Sequence, residues 1–248
     1  KINGKNLFEN PVSSRKLIGY VPEGSPLYNE MTVIDFLSFV FEARNLDKEK
    51  KDNSVNNVVN LLKLNNVLFQ RIETLSKGYR RRVGLAQAII HNPKILILDE
   101  PTDGLDPNQK NDVRKLIKEL GKDKAIIIST HILEEINALC NRTLIISKGR
   151  LLIDDTPSNI LKISSAFNNI EIAVEEKNNQ ELKKLLASSN IAKQVSIENN
   201  LCLIKTNNYK QKKSELDKFL KRHSLTVKHL SISKGNMEEV FREMTSDE

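Results

Sequence analysis

Long apolar stretches are missing from this chain of 248 residues. Its longest aliphatic runs, residues 95–98 and 125–128, fall far short of the roughly 20 residues that a membrane-spanning helix needs, so no segment is predicted to cross a bilayer. Glycine and proline are sparse, at 9 and 7, against 39% apolar and 29% charged residues, which excludes fibrous and disordered classes and predicts a soluble globular protein. Cysteine is rarer still. Cys140 and Cys202 fit no metal spacing and no disulfide framework, so they read as buried, reduced thiols of a cytoplasmic protein. The first residues form no signal peptide and include no initiator Met, and Lys1 is expected to lie in the middle of a longer protein. Length allows one large domain or a large and a small one.

What is present in excess is positive charge. Lysine and arginine number 39 against 32 acids, a net +7, with pI ≈ 9.2. Such a balance suits nucleic acid or an anionic membrane surface. The lysines are spread along the chain, however, and the runs at 48–51 and 210–213 flank helical patterns, so they read as solvated faces.

The periodicity divides the chain. Asn3-Gly4 predicts a hairpin turn within residues 1–7, and residues 17–21 a first extended piece. Thr32 and Asp35 form a capping box, with Val33, Phe36, Leu37, Val40 and Phe41 on one helical face. Val55, Val58, Val59 and Leu62 repeat that spacing. From 78 to 90 the apolar positions occupy more than one stripe, which predicts a helix packed on several sides. Residues 95–98, 125–129 and 144–147 are continuous aliphatic runs, the pattern of strands buried on both faces of a parallel sheet. Amphipathic helices separate them, carrying Val113, Leu116, Ile117 and Leu120, then Ile132, Ile136, Leu139 and Cys140. The result is an α/β core, mostly a parallel sheet, with a helical insert at about 32–92. Beyond Pro157 the pattern becomes strand (170–174), helix (182–186), two strands (195–197, 201–205), helix (216–220), strand (230–232) and helix (237–244). This predicts a small α+β domain over 168–248, after a main domain of 1–163.

Two phrases carry the chemistry: Leu75-Ser76-Lys77-Gly78-Tyr79, and the strand 95–98 running into Asp99-Glu100-Pro101-Thr102-Asp103-Gly104-Leu105-Asp106. In open α/β sheets ligands gather at the carboxyl ends of strands, where Asp99 and Glu100 stand. Ser76 and Gly78 precede a long helix, at the positive end of its dipole, where a phosphate is a natural guest. The pentapeptide alone fits a Ser N-cap followed by a flexible Gly equally well. Arg80, Arg81 and Arg82 read as a solvated stripe with one structural salt bridge. His91, His223 and His229 read as structural or surface residues.

In this order and at this spacing the phrases resemble the signature motif and the acidic strand of ABC ATPases, in the variant reading Lys-Gly-Tyr where many members have Gly-Gly-Gln. The resemblance covers 1–157 and implies a P-loop NTPase core of ABC type using ATP and Mg²⁺. It assigns Mg²⁺ to Asp99 and the attacking water to Glu100. Gly104-Leu105-Asp106 matches the D-loop, and His131, after Ser129-Thr130, matches the switch histidine. Ser76, Lys77, Gly78, Tyr79 and Asp106 would face nucleotide. Ile18-Gly19-Tyr20-Val21-Pro22-Glu23 stands where the family has its Q-loop, with Glu23, a second Mg²⁺ candidate, in place of the glutamine. Pro-Glu here is a mark of members resembling gliding-motility and multidrug-type subunits.

The phosphate-cradling G-x-x-x-x-G-K-[ST] loop that such an enzyme requires is found nowhere in the sequence. The chain is therefore expected to be an N-terminally truncated subunit, doubtful as a hydrolase by itself. The implied partners are a membrane-spanning permease subunit, received at residues 24–31 and the helical insert, and a second ATPase subunit, identical or paired. The implied location is the inner face of the cell membrane. The alternatives are a nucleic-acid-associated ABC ATPase, although no nucleic acid is expected, and a non-catalytic partner-binding fragment. The C-terminal part resembles the accessory domain of some export-type members.

Overall fold

The structure, a computed structural model, describes all residues except 3, 5, 10, 175–178, 188, 190, 193, 199–200, 206–208, 224–226 and 247–248. The chain divides into two compact units, Lys1–Leu139 and Cys140–Glu248. The hairpin expected at Asn3-Gly4 lies partly outside the described residues; Gly4 itself has the positive φ of a turn, 78°.

In the first unit the elements are α1 (Pro11–Arg15), β1 (Ile18–Val21), α2 (Val33–Ala43), α3 (Lys51–Leu61), α4 (Lys77–Ile89), β2 (Ile95–Asp99), α5 (Pro107–Leu120), β3 (Ala125–Ser129) and α6 (Leu133–Leu139). The capping box starts α2 as expected: Asp35 N donates to Thr32 Oγ1 at 3.2 Å and the Thr32 hydroxyl donates back to Asp35 Oδ2 at 2.5 Å. Below it Val33, Phe36, Leu37 and Phe41 form the buried stripe, and Val55, Val58 and Val59 of α3 join the same core. The multi-sided burial expected of α4 is observed, from Gly78 and Arg81 to Ala88 and Ile89. At α5, Asp106 caps and Pro107 occupies the first turn, where its missing N–H costs nothing.

β1, β2 and β3 form a parallel sheet in that order. Its burial departs from expectation. Leu96 and Leu98 are fully buried, whereas the residues between them are only half-buried, and in β3 Ile127 is 59% exposed. The physical reason is that the core built from α4 and α5 includes Val21, Leu96 and Leu98, and so covers one face of the sheet. Tyr20, Ile97 and Ile127, aligned across the three strands, occupy the other. Helix α4 lies very close to β1: a Cβ built on Gly19 would stand 2.1 Å from Ala88 O. At the end of the same helix His91 Nε2 lies 3.0 Å from Arg44 Nη1 and 3.1 Å from Ile18 O, which joins α2 to β1. Burial, reinforced by Arg44, pushes this imidazole down to about 4, consistent with a structural histidine.

The second unit begins with β4 (Thr143–Ser147) and β5 (Arg150–Asp155), an antiparallel pair joined through Lys148 (φ 45°) and Gly149 (φ 75°). Residues 144–147, expected as a strand buried on both faces of the parallel sheet, instead pair antiparallel in a separate two-stranded sheet with Leu144 and Ile146 exposed; the Lys-Gly pair, with two positive φ values, is the hairpin signal. There follow α7 (Pro157–Leu161), β6 (Ile170–Val174), α8 (Asn179–Ala187), β7 (Gln194–Glu198), β8 (Leu201–Lys205), α9 (Tyr209–Arg222), β9 (Val227–Ile232) and α10 (Met237–Ser246). The strands pair antiparallel in the order β7-β8-β6-β9, which with α8 and α9 makes a split βαβ arrangement. Ile170, Ile172, Leu182, Leu186, Cys202, Ile204, Leu216 and Leu220 form its core. These elements are α+β in composition, but the compact unit that holds them starts at Cys140 rather than at the expected 168. Residues 164–169, around the expected domain boundary, are tied to the same unit: the Ser164 and Ser165 hydroxyls donate to the Glu239 carboxylate of α10, and Asn236 N donates to Ser164 Oγ at 3.1 Å.

Replacing Gly19 by Ala should cost about 3 kcal/mol or more, the upper end of overpacking effects, because backbone rather than a flexible side chain blocks the new methyl. Gly121→Ala, at φ −69°, should change stability by no more than about 1 kcal/mol. Urea denaturation of both variants checks this; equal effects would contradict the packing described.

Candidate active site

The register of the sheet assembles the site. Val21 pairs with Leu98 and Asp99 with Ser129, so the three parallel strands end on one edge. The segments leaving that edge carry Glu23 after β1, Asp99 and Glu100 at β2, and Thr130-His131 after β3. Four of the sequence-predicted residues therefore share the carboxyl end of the sheet.

Glu100 is held tightly. Its backbone adopts φ 45°, a left-handed conformation uncommon outside glycine, and its N–H donates to Ser129 O at 2.9 Å. Its Oε1 accepts from His131 N at 3.0 Å and meets His131 Nδ1 at 2.8 Å. Oε2 is buried without a hydrogen-bond partner. The carboxylate is thus fixed on one side and has an unused acceptor on the other. Its partner His131 is 70% exposed and Glu100 14%, so the pair has a half-buried acid and an outward imidazole. The hydrogen bond and charge of Glu100 raise the proton affinity of His131 above the ordinary histidine value.

Asp99 is half-buried and Glu23 exposed. Among the described residues no group of three or more His, Cys, Asp or Glu converges as a metal cage. Asp99 and Glu23 each end or follow a strand on the same edge of the sheet and are oxygen donors of the type Mg²⁺ takes, one or two protein carboxylates with the shell completed by water and substrate phosphate.

The second cluster lies at the start of α4. Ser76 is the N-cap, its Oγ accepting from Tyr79 N at 3.4 Å. Gly78 is buried, and a Cβ there would stand 2.7 Å from Gln109 Cδ, so this glycine makes room for a neighbouring amide rather than supplying flexibility. Lys77 is exposed with its ammonium beside Gly104, and Tyr79 lies under the Arg82 guanidinium at 5.9 Å. Asp106 caps α5 through Gln109 N at 3.0 Å. No hydrogen bond or ion pair among the described residues joins Ser76, Lys77, Gly78 or Tyr79 to Glu100 or His131. The chain carries two separate clusters.

The three arginines after the signature correct the expected solvated stripe. Arg82 makes the anticipated salt bridge, with Asp112 at 2.9 Å, and also donates to Leu62 O. Arg80 reaches Asn29 Oδ1 at 2.9 Å. Arg81 is 6% exposed and donates to Ser25 Oγ at 2.9 Å. Successive helix positions point in different directions, so the three heads separate. Sequence reasoning also missed Glu135, which is fully buried in α6 and accepts from the Thr102 hydroxyl, holding the segment after Glu100 against the helix after His131. Its place next to Ile136 on a helix with an apolar stripe was the only signal.

Strand-end acids, a fixed acid–histidine pair and a glycine-bearing helix start are laid out as in α/β domains that bind phosphates. Residues 1–103 match the ABC transporter family. An ABC transporter ATP-binding protein of Methanocaldococcus jannaschii is 43% identical over 134 residues, 54% of this chain and 51% of that one. The lipopolysaccharide export system ATP-binding protein LptB of Escherichia coli is 32% identical over 151 residues, 60% of this chain and 63% of its own. A solved structure described as the ATP binding subunit of an ABC transporter superposes with a TM-score of 0.58 at 28% identity, over 66% of this chain and 68% of that one. Over its first unit the chain is similar to ATP-binding proteins of ABC transporters, the family match covering residues 1–103. It spans about half the length of the first of these relatives.

The His131 ring should titrate above 6.5, and its interaction with Glu100 is then fully present below that value and lost as pH rises through the raised pKa. Imidazole NMR of the chain and of Glu100→Gln tests this: the variant's midpoint should move down. An unchanged midpoint would show that Glu100 does not set it.

Proposed function

We propose that the complete protein is the ATP-hydrolysing subunit of an ABC transporter, at the inner face of the cell membrane on a separate permease subunit. The observation that carries this reading is the Glu100–His131 pair at the carboxyl edge of the sheet, with one carboxylate oxygen fixed and the other unused. Glu100, held at Oε1, offers Oε2 to a water hydrogen and so orients the water for in-line attack on a terminal phosphate. His131 keeps the acid in place through two contacts, and its outward ring can donate to a phosphate oxygen. Asp99 and Glu23 would hold Mg²⁺, which when bound neutralises charge developing on the phosphates.

The start of α4 serves the other half of the reaction. Ser76, Lys77, Gly78 and Tyr79 present backbone N–H groups, a hydroxyl and an ammonium to an anion, and Gly104-Leu105-Asp106 flanks them. Because no hydrogen bond or ion pair among the described residues joins this cluster to Glu100, it suits the nucleotide of a second ATPase subunit, identical or paired. Pro22-Glu23 favours the gliding-motility and multidrug-like type. Residues 24–31 with α2, where Tyr28 stacks edge-on against Phe39 at 5.4 Å, form the surface for the permease. Residues 168–248 act as an accessory domain.

In the complete protein with its permease, Glu100→Gln should lower Mg²⁺-dependent ATP hydrolysis by about 10²–10⁴-fold, as expected for loss of a general base, while nucleotide binding persists. Hydrolysis at the unaltered rate in this variant would overturn the proposal.

A further inference from the structure

Arg81 is a buried cation without a role in the reading above. It lies in the second turn of α4, about 7.5 Å along the axis from the Ser76 cap at 1.5 Å per residue, and it reaches a loop from elsewhere in the chain. Its Nη1 donates to Ser25 Oγ at 2.9 Å. Ser25 is itself 4% exposed and stands at φ 45°, the end of a tight turn whose Ser25 N donates to Pro22 O at 3.1 Å. One turn further along α4, Gly84 leaves the space that Ser25 occupies: a Cβ there would lie 2.8 Å from Ser25 Oγ. Further still, Gln87 Nε2 donates to Tyr20 O at 2.8 Å. Helix α4 thus grips β1 and its following turn at successive points, and Arg81 is the grip nearest Glu23. Burial pulls the guanidinium's proton affinity down, whereas the carboxylates of Asp103, Glu23 and Glu100 pull it up, so the cation sits within the field of both strand-end segments.

We propose that Arg81 is a positioning residue that links the two clusters of one chain, holding the turn of Pro22, Glu23, Gly24 and Ser25 against the helix whose start is offered to a partner's nucleotide. The inference rests on the ATPase reading and deepens it. A shift of α4 on engaging phosphate at Ser76 and Gly78 is carried by a rigid helix to Arg81, and through Ser25 to the backbone bearing Glu23. Arginine suits the task because its guanidinium stays protonated when buried and its planar fork fixes direction. Ser25 suits it because its hydroxyl accepts without adding charge among three acids.

The test has two arms. In the first, hydrogen exchange is followed at residues 22–27 of the chain in Arg81→Met, in Ser25→Ala and in the double variant. Faster exchange of the Ser25 amide in each single variant, with no further gain in the double, is expected from a shared contact. Additive effects, or none, would overturn the proposal. In the second, the complete protein with its permease is assayed. Arg81→Lys and Ser25→Ala should each lower kcat by about 10–100-fold, the cost of slight misplacement, with KM for ATP within about twofold and the double variant no worse than either. A merely structural role would lower the folded fraction and leave kcat per folded molecule unchanged, which also refutes the proposal. Should Arg81→Met fail to fold, Ser25→Ala, which keeps the charge, decides. If the unaltered complete protein hydrolysed no ATP, the ATPase reading itself would fall, an outcome separate from wild-type hydrolysis with insensitive variants.

Discussion

The closeness of α4 to β1 is the constraint from which the site geometry follows. Gly19 brings the strand against the Ala88 carbonyl, and no side chain larger than hydrogen fits there. Once the helix lies that near, Gln87 reaches the Tyr20 carbonyl, Gly84 accommodates Ser25, and Arg81 reaches the same hydroxyl. The helix start and the strand ends are then fixed relative to each other by packing rather than by a flexible loop. That rigidity matters because catalytic groups tolerate little displacement.

The acids around the strand ends, Glu100 after β2 and Glu135 in α6, are stabilised by different means. Glu100 is anchored by two donors from His131 and strained into a left-handed backbone that the surrounding hydrogen bonds enforce. Glu135 is buried outright and satisfied on one oxygen by Thr102. Through Thr102 and His131, the segments after β2 and β3 are tied both to α6 and to each other. Arg81 supplies the buried positive charge nearby.

Much of the architecture was legible in the sequence because periodicity reports burial directly. The stripes of α2, α3 and α5 and the aliphatic strands β2 and β3 lie at the expected positions, whereas the run at 144–147 forms an antiparallel pair with β5 outside the parallel sheet. The strand-end residues were legible for a related reason, since Asp99, Glu100 and His131 follow aliphatic strands whose register alone determines where they meet. Long-range polar contacts were not legible. Nothing in Arg80-Arg81-Arg82 distinguishes the arginine that will be buried; the distinction arises from where Ser25, Asn29 and Asp112 lie in space. The one-sided burial of the sheet escaped for the opposite reason, because an unbroken aliphatic run states what a strand prefers and not what covers it.

That uneven covering has a consequence for the behaviour of the molecule in solution. Among the described residues β3 is an edge of the parallel sheet, and it is a run of uncharged, mostly β-branched residues with Ile127 turned outward. No lysine, proline or bulge blunts it, which are the devices that normally keep an edge from templating another strand. A net charge of +7 is spread too widely to protect five residues. Among the described residues this short stretch is therefore the place on the parallel sheet where a further β-segment would pair.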